Sequence, residues 1–341
     1  MSKIDETYLQ GLSSILEEGY LYEDTNRKGV YRREIPSFTL RHNLSEGFPI
    51  ISLKKSFFKG AVTELLFFLS GSTDIRDLWK RGVYFWDKDW ARFHNYSKEW
   101  VIFLKNRYKK DTKEGDDRMY DMGRIYPAQY RDFTGVDQLT KVLKTLKENP
   151  MSTSMIVNAW NPAELDEMCL PPCHYGFQIV GRPLSLVERL HYSGGKAPLA
   201  GSSESLDKLG IIKYGFEIHW QQRSTDYFLG TPINVQYYAL MAQLFEILTG
   251  HKALAVQGDL KNVHLYDNQF QQAQELRKRN AHKYENTKLS TSDFLNRVKD
   301  ESYFDKLTFD EILNDIKVED FTLEEYKSYP KLTAEMLSYD E

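Results

Sequence analysis

Met168-Cys169-Leu170-Pro171-Pro172-Cys173-His174 is the stretch on which the reading of this chain turns. Its two prolines fix their own φ angles and remove two amide donors, so no helix runs through it. The sulfur of Cys173 is therefore predicted on a stiff turn. His174 follows, and Tyr175-Gly176-Phe177-Gln178-Ile179-Val180 then alternates as a strand does. A thiol held on a turn suits covalent catalysis, because a nucleophile must be aimed as well as activated. Other readings stand beside this one. Free cysteine is often a small buried apolar side chain. The chain has two cysteines, Cys169 and Cys173, and a bridge between them closes a loop too short to stabilise much. A structural zinc needs four ligands, and no second Cys/His cluster supplies them.

Working outward, Met155 to Trp160 reads as a buried strand. Asp137 to Asn149 reads as a helix with Leu139, Val142, Leu143 and Leu146 on its buried side. Gly60 to Phe68 is a compact apolar helix with one acid, Glu64, inside it. Residues 6–19 place Tyr8, Leu12, Ile15 and Leu16 on one stripe, and Ser37 to Arg41 alternates like a strand. On the other side, Ile211 to Gln222 alternates, with Tyr214, Phe216, Ile218 and Trp220 on one face. Asn234 to Leu248 is a long apolar helix that stops at Gly250. Residues 91–118 read as polar and irregular, and 194–208 as a surface loop rich in Gly, Ser and Lys. The tail from Asp293 is charged and mixed. No repeat or linker divides the chain. The expectation is one interwoven α/β or α+β domain over 1–341, with inserted loops near 91–118 and 183–210.

The 341 residues and 41% hydrophobic content allow a sizeable core without staples. A net charge of −4 argues against a surface built to hold nucleic acid. Sparse cysteine points to a reducing compartment. The first residues carry acids and no apolar signal core, and no apolar run approaches a membrane span. A cytoplasmic protein with no membrane partner and no metal is expected.

Three clusters carry chemistry. Glu64, beside so much apolar surface, has a raised pKa if buried, which suits proton shuttling; it could equally face water. The run Gln222-Arg223-Ser224 through Leu229, Gly230 and Asn234 passes from a strand end to a helix start. Arg223 and Ser224 can grip a phosphate, and Asn234 can donate and accept toward an amide-like ring edge. The plainer reading is a strand–turn–helix with an asparagine cap. His264 and Tyr266, two apart, share a face if the segment is extended.

Together these runs resemble the folate-dependent thymidylate synthase family, which includes deoxynucleotide hydroxymethylases. The matching segments are Gly47-Phe48-Pro49, Glu64 through Thr73, Trp86-Asp87, Ala159-Trp160-Asn161-Pro162, Leu170 through His174, and Gln222 through Asn234. They stand in family order from about Tyr8 to about Ser338. The resemblance implies an α+β fold, a mixed sheet packed against helices, and a homodimer with sheets back to back. It implies that Cys173 attacks C6 of a uracil ring and that Arg223 holds the nucleotide phosphate and favours the thiolate. Asn234 would pair with the pyrimidine edge, with Gln222 and Ser224 beside it; asparagine there points to uracil. His264 and Tyr266 would bind the sugar hydroxyl, and Arg27 would close a loop over the phosphate. Glu64 would organise proton transfer. Asp226, Trp86, Trp90, Leu229 and Gly230 would meet the pterin of 5,10-methylenetetrahydrofolate. Tyr126 and His174 would order the surroundings of the nucleophile.

The chain also departs from the family pattern. Two arginines that the family uses to reach the partner's phosphate read Thr153 and Ser154 here. Each such grip is worth roughly 1.5–3 kcal/mol, so either another group compensates, with the basic insert at Lys105–Lys110 and the insert containing Arg189 and Lys196 as the candidates, or the phosphate is held less tightly, or the substrate differs. Tyr339-Asp340-Glu341 continues past the usual tail end. An acidic extension should impair dry closure and let water reach the methylene intermediate. The expected product is therefore 5-hydroxymethyl-dUMP, as in bacteriophage enzymes, which would place the protein in the host cytoplasm. Thymidylate synthesis is the alternative. A silent homologue that binds nucleotide or RNA is a third reading, opposed by the retained Cys173, Glu64, Arg223, Asp226 and Asn234.

Overall fold

The structure, a computed structural model, describes residues 3–110, 117–195, 202–300 and 302–337. Its main sheet uses Tyr20–Glu23 (β1), Tyr31–Asn43 (β2), Ile156–Asn158 (β3), His174–Pro183 (β4), Tyr214–Gln222 (β5), Thr225–Asp226 (β6) and Lys252–Tyr266 (β7). The order is β1-β2-β7-β5-β4-β3, with β6 paired to β7. Strand β7 meets β2 antiparallel but β5 and β6 parallel, so the sheet is mixed. A parallel neighbour requires a long crossover. The helix Thr231–Thr249 makes it, and its buried residues lie all around it, including Val235, Tyr238, Met241 and Phe245. Gly250 ends it at φ 77°, a left-handed turn that glycine takes without a Cβ clash.

Alternation decides which face of the sheet is covered. On β5, Phe216, Ile218 and Trp220 are fully buried, whereas Glu217, His219 and Gln221 are half-buried. The covered face meets the Thr231–Thr249 helix, which in turn packs on Phe58–Ser70, the helix that carries Glu64. Between them lies an aromatic stack. Trp220 stacks on Tyr238 at 4.6 Å, and Phe68 stacks on Tyr126 at 4.6 Å. This rigid layer backs the Cys173 turn.

Three sequence expectations need correction. Residues 91–118 are not irregular throughout: Lys98–Lys110 is a helix and Asp117–Tyr120 a 3-10 turn. Leu104 is fully buried there and Tyr108 reaches Trp79, so an amphipathic stripe was hidden among lysines. Within 183–210, Leu186–Tyr192 is a helix with a Ser185/Glu188 capping box, and Ser203–Lys208 is another helix. Lastly, Met155–Trp160 yields only the edge strand Ile156–Asn158, in which Val157 alone points inward. The charged tail is also ordered where described, with helices Asp293–Asp300 and Phe309–Asp315 and a small sheet of Lys288–Thr291 against Phe321–Glu324. Among the described residues, no helix is long and apolar enough to cross a membrane.

Candidate active site

The two prolines before Cys173 keep the backbone out of a helix, and their carbonyls accept from an arginine instead. Arg223 donates from Nε to the Pro172 carbonyl at 2.9 Å and from a terminal nitrogen to Pro171 at 3.0 Å. Its backbone N–H donates to the Cys173 carbonyl at 2.8 Å, and its guanidinium lies over Trp160 at 5.2 Å. From the opposite side, the Tyr126 hydroxyl accepts the Cys173 N–H at 2.8 Å and the His174 N–H at 3.3 Å. The thiol thus sits on a turn clamped from two sides, at a bend before β4 where the register with β5 is irregular.

Burial pushes the Cys173 thiol up from its ordinary value. Arg223 and then Arg27 oppose this, while Asp89 and Asp226 add to it. The expected effect of Arg223 on the thiolate is present but smaller than desolvation, so the resting sulfur is protonated. Cys169 is a separate buried thiol, and both cysteines are free.

Cys173 opens onto a cavity of about 290 Å³ that Arg27, Arg32, Arg223, Ser224, His264 and Tyr266 also line. Arg27 is buried, sits over the Tyr266 ring at 5.0 Å, and donates to Asp24 and to the Leu337 carbonyl, each at 3.4 Å. The His264 ring packs on Tyr266 at 4.8 Å, with Nδ1 2.7 Å from the Asn262 carbonyl; burial pushes its pKa down. Asp226 accepts from the Leu229 N–H at 2.9 Å and from Gln269 at 3.0 Å.

A second cavity of about 430 Å³ adjoins the first and shares Asp89, Leu170, Leu229, Gly230 and Met336 with it. Glu64, Trp86 and Asn234 line this side. The Trp86 indole donates to Glu64 at 2.9 Å. Burial nevertheless pushes the Glu64 carboxyl up to about 7, against the pull of Trp86. Asn234 donates to the Gln222 side-chain oxygen at 3.1 Å, and Gln222 donates to the Ser224 carbonyl at 3.0 Å. Gln222 therefore fixes the Asn234 amide and leaves its oxygen and one N–H for a ligand. Gly230 closes the corner between the cavities: a Cβ there would meet the Asp226 carbonyl at 2.9 Å.

Several expected residues lie elsewhere. Trp90 lines neither cavity; it is fully buried in a cluster with Trp79 and Tyr96, at 5.3 Å from each. His174 lies behind the turn, stacked on Tyr126 at 4.5 Å and bonded to the Tyr238 hydroxyl at 2.9 Å. Burial pushes its pKa down to about 3, so it stays neutral. Like Tyr126, it positions the turn. Thr153 and Ser154 are exposed and line neither cavity. Nor do the expected compensators: Arg189 is buried in its own insert, bonded to Asp207 at 2.5 Å and Ser203 at 2.9 Å. Lys105 is paired with Asp87, and Lys109 is exposed. Lys196 and Tyr339 to Glu341 lie outside the described residues.

Among the cavity residues that sequence reasoning missed, three buried or half-buried charged ones stand out. Asp89 borders both spaces, and Arg32 lines the first. Lys54 lines the second, buried, with Nζ 2.5 Å from the Phe228 carbonyl and 3.6 Å over its ring. Burial pushes Lys54 down to about 8. A lysine just after the apolar run Ile50–Leu53 was the available signal for it. No group of three or more His, Cys, Asp or Glu that could hold a metal occurs among the described residues.

The family model for thymidylate synthase matches residues 6–338. The chain belongs to the thymidylate synthase family. It is accordingly a one-carbon transferase, with the α+β fold of that family. It is 32% identical over 340 residues to a thymidylate synthase of Mesoplasma florum, covering 96% of this chain and 98% of that one. It is also 32% identical over 275 residues to a probable thymidylate synthase of Escherichia phage T5, covering 80% and 83%. Thymidylate synthases act on C5 of dUMP with methylenetetrahydrofolate as the one-carbon donor.

Proposed function

We propose that this chain converts dUMP to dTMP, with 5,10-methylenetetrahydrofolate giving a methylene group and then a hydride and leaving as dihydrofolate. The observation that carries this reading is the course of the carboxy-terminal tail. Met336 lines both cavities, and its carbonyl accepts from Lys88 at 2.9 Å. Asn268 donates to the Glu335 carbonyl at 3.0 Å, and Arg27 to that of Leu337. A tail held along the cleft excludes water at the stage where hydride and water compete. The hydroxymethyl outcome expected from Tyr339-Asp340-Glu341 rests on residues outside the described chain. Neither the tail's course nor the relatives lend it support.

In this reading, Cys173 bonds to C6 as its proton leaves, and the ring electrons move toward C5 and O4. Asn234 donates to O4 and accepts from N3–H. Glu64, poised near neutrality, passes protons at O4 and C5. C5 bonds to the methylene carbon and loses its proton as the bond from that carbon to the folate nitrogen breaks. The hydride from the folate then adds to the exocyclic methylene carbon, making it a methyl group, as the sulfur–C6 bond breaks and the C5–C6 double bond re-forms. Arg27, Arg223 and Ser224 hold the phosphate, and His264 and Tyr266 the sugar hydroxyl. The second cavity suits the folate: Trp86, Phe85 and Ile233 form an apolar slot, and Lys54, Lys55 and Lys331 offer cations to carboxylates. Asp226 and Trp86 orient the pterin.

The reading includes a cytoplasmic homodimer. Support comes from the sheet face opposite the Thr231–Thr249 helix, where, among the described residues, Arg41, Glu217, His219 and Val180 stay wholly or partly exposed. The deciding assay incubates the protein with dUMP and methylenetetrahydrofolate and identifies both products. Expected are dTMP and dihydrofolate. Hydroxymethyl-dUMP with tetrahydrofolate overturns the proposal.

A further inference from the structure

We propose that Arg32 is a phosphate-binding residue of this site, bringing a third guanidinium to the nucleotide from the chain's own β2 strand. This rests on the reading of dUMP as substrate. Arg32 lies opposite Tyr266 in the β2–β7 ladder, and Glu34 lies opposite His264. Directly opposed residues share a face, and so do residues two apart along a strand. Arg32 therefore projects on the side of the two groups assigned to the sugar, and it lines the same cavity as Cys173, Arg27 and Arg223.

Its present contacts leave capacity. Nε donates to the Tyr22 hydroxyl at 2.8 Å. One terminal nitrogen is 3.1 Å from Asp24 and the other 3.1 Å from Glu34. A guanidinium has five N–H groups, so two remain after these three contacts. Asp24, whose side chain is fully buried, is shared between Arg32 and Arg27. Arg223 spends its fork on two proline carbonyls and brings no carboxylate. Asp89 and Asp226 also line this cavity, so what suits a phosphate here is the convergence of three planar N–H forks on one space rather than an excess of charge. Tyr22, Asp24 and Glu34 act as the frame that pre-orients the fork, which lowers the ordering cost of binding.

A purely bracing role for Arg32 predicts something different, because a slack β1–β2 hairpin would disturb the whole pocket. The test measures dissociation constants of dUMP and deoxyuridine for wild type, Arg32→Gln and Arg32→Lys, with inorganic phosphate as a competitor of dUMP. Arg32→Gln should weaken dUMP roughly ten- to hundredfold, leave deoxyuridine unchanged, and blunt competition by phosphate. Arg32→Lys, which keeps the charge, should fall between and serves if the glutamine variant does not fold. Equal weakening of nucleotide and nucleoside in the variants overturns the proposal in favour of a brace, as does unchanged dUMP binding. A wild type that binds neither ligand removes the substrate reading itself.

Discussion

The two cavities that meet at Leu170, Leu229 and Gly230 work by opposite means. The Cys173 side is organised by hydrogen bonds: Arg223 and Tyr126 grip one turn, and three guanidiniums converge on its cavity. The Glu64 side is organised by dryness: an indole, apolar walls and the chain's own tail surround one carboxyl. Charge raises affinity for an anion and aims a nucleophile. Exclusion of water retunes an acid and protects a reactive intermediate. One division of labour follows, in which the first side holds and attacks and the second moves protons and keeps water out.

Substitutions can break each side separately. Cys173→Ser should lower the rate of C5-hydrogen release from dUMP by at least about 10³-fold, while dUMP binding by calorimetry survives. Glu64→Gln should cost roughly 10²- to 10⁴-fold in kcat, with much less change in the KM for dUMP. It has a second signature. The Glu64 carboxyl titrates at about 7 in the folded chain and near 4.5 when unfolded. Between those values the folded state binds more protons, so its contribution, on the order of 3 kcal/mol, is present at low pH and lost as pH rises. The wild-type melting temperature should therefore drop more steeply than that of Glu64→Gln across this window. A parallel drop in thermal melts would place the titration elsewhere.

Milder changes sharpen the contrast. Deleting the chain from Glu335 onward should open the dry side and divert product toward hydroxymethyl-dUMP, read as the product ratio by chromatography. Lys54→Met should raise the KM for the folate roughly tenfold, and the wild-type KM should itself rise above pH of about 8 as the lysine loses its charge. The smallest effect is expected at Lys109→Ala, which should leave the KM for dUMP unchanged because the residue is exposed and lines neither cavity.

The contrast also explains what could be read without coordinates. The polar side was legible because its parts come as short runs: the proline-stiffened thiol, the Arg223-Ser224 pair, and His264 with Tyr266. Strand alternation and the long Thr231–Thr249 helix were legible because burial enforces periodicity. The dry side was less so. Trp86 and Trp90 look alike as sequence, yet one donates to Glu64 and the other fills an aromatic core. Only tertiary packing separates them. The 91–118 and 183–210 inserts were misjudged because lysines and serines concealed Leu104 and a capping box. Arg32 was passed over because its role arises from register with Tyr266, across 234 positions of sequence. The Arg189 expectation failed for a related reason: the arginine is itself buried in its own segment, where Asp207 pairs with its charge.

The most direct test of the central claim is to trap the enzyme with dUMP and methylenetetrahydrofolate by rapid denaturation and locate any nucleotide by fragment-ion mass spectrometry. The account predicts a nucleotide adduct on Cys173. An adduct on Cys169, or turnover with no sulfur-linked nucleotide at all, contradicts it.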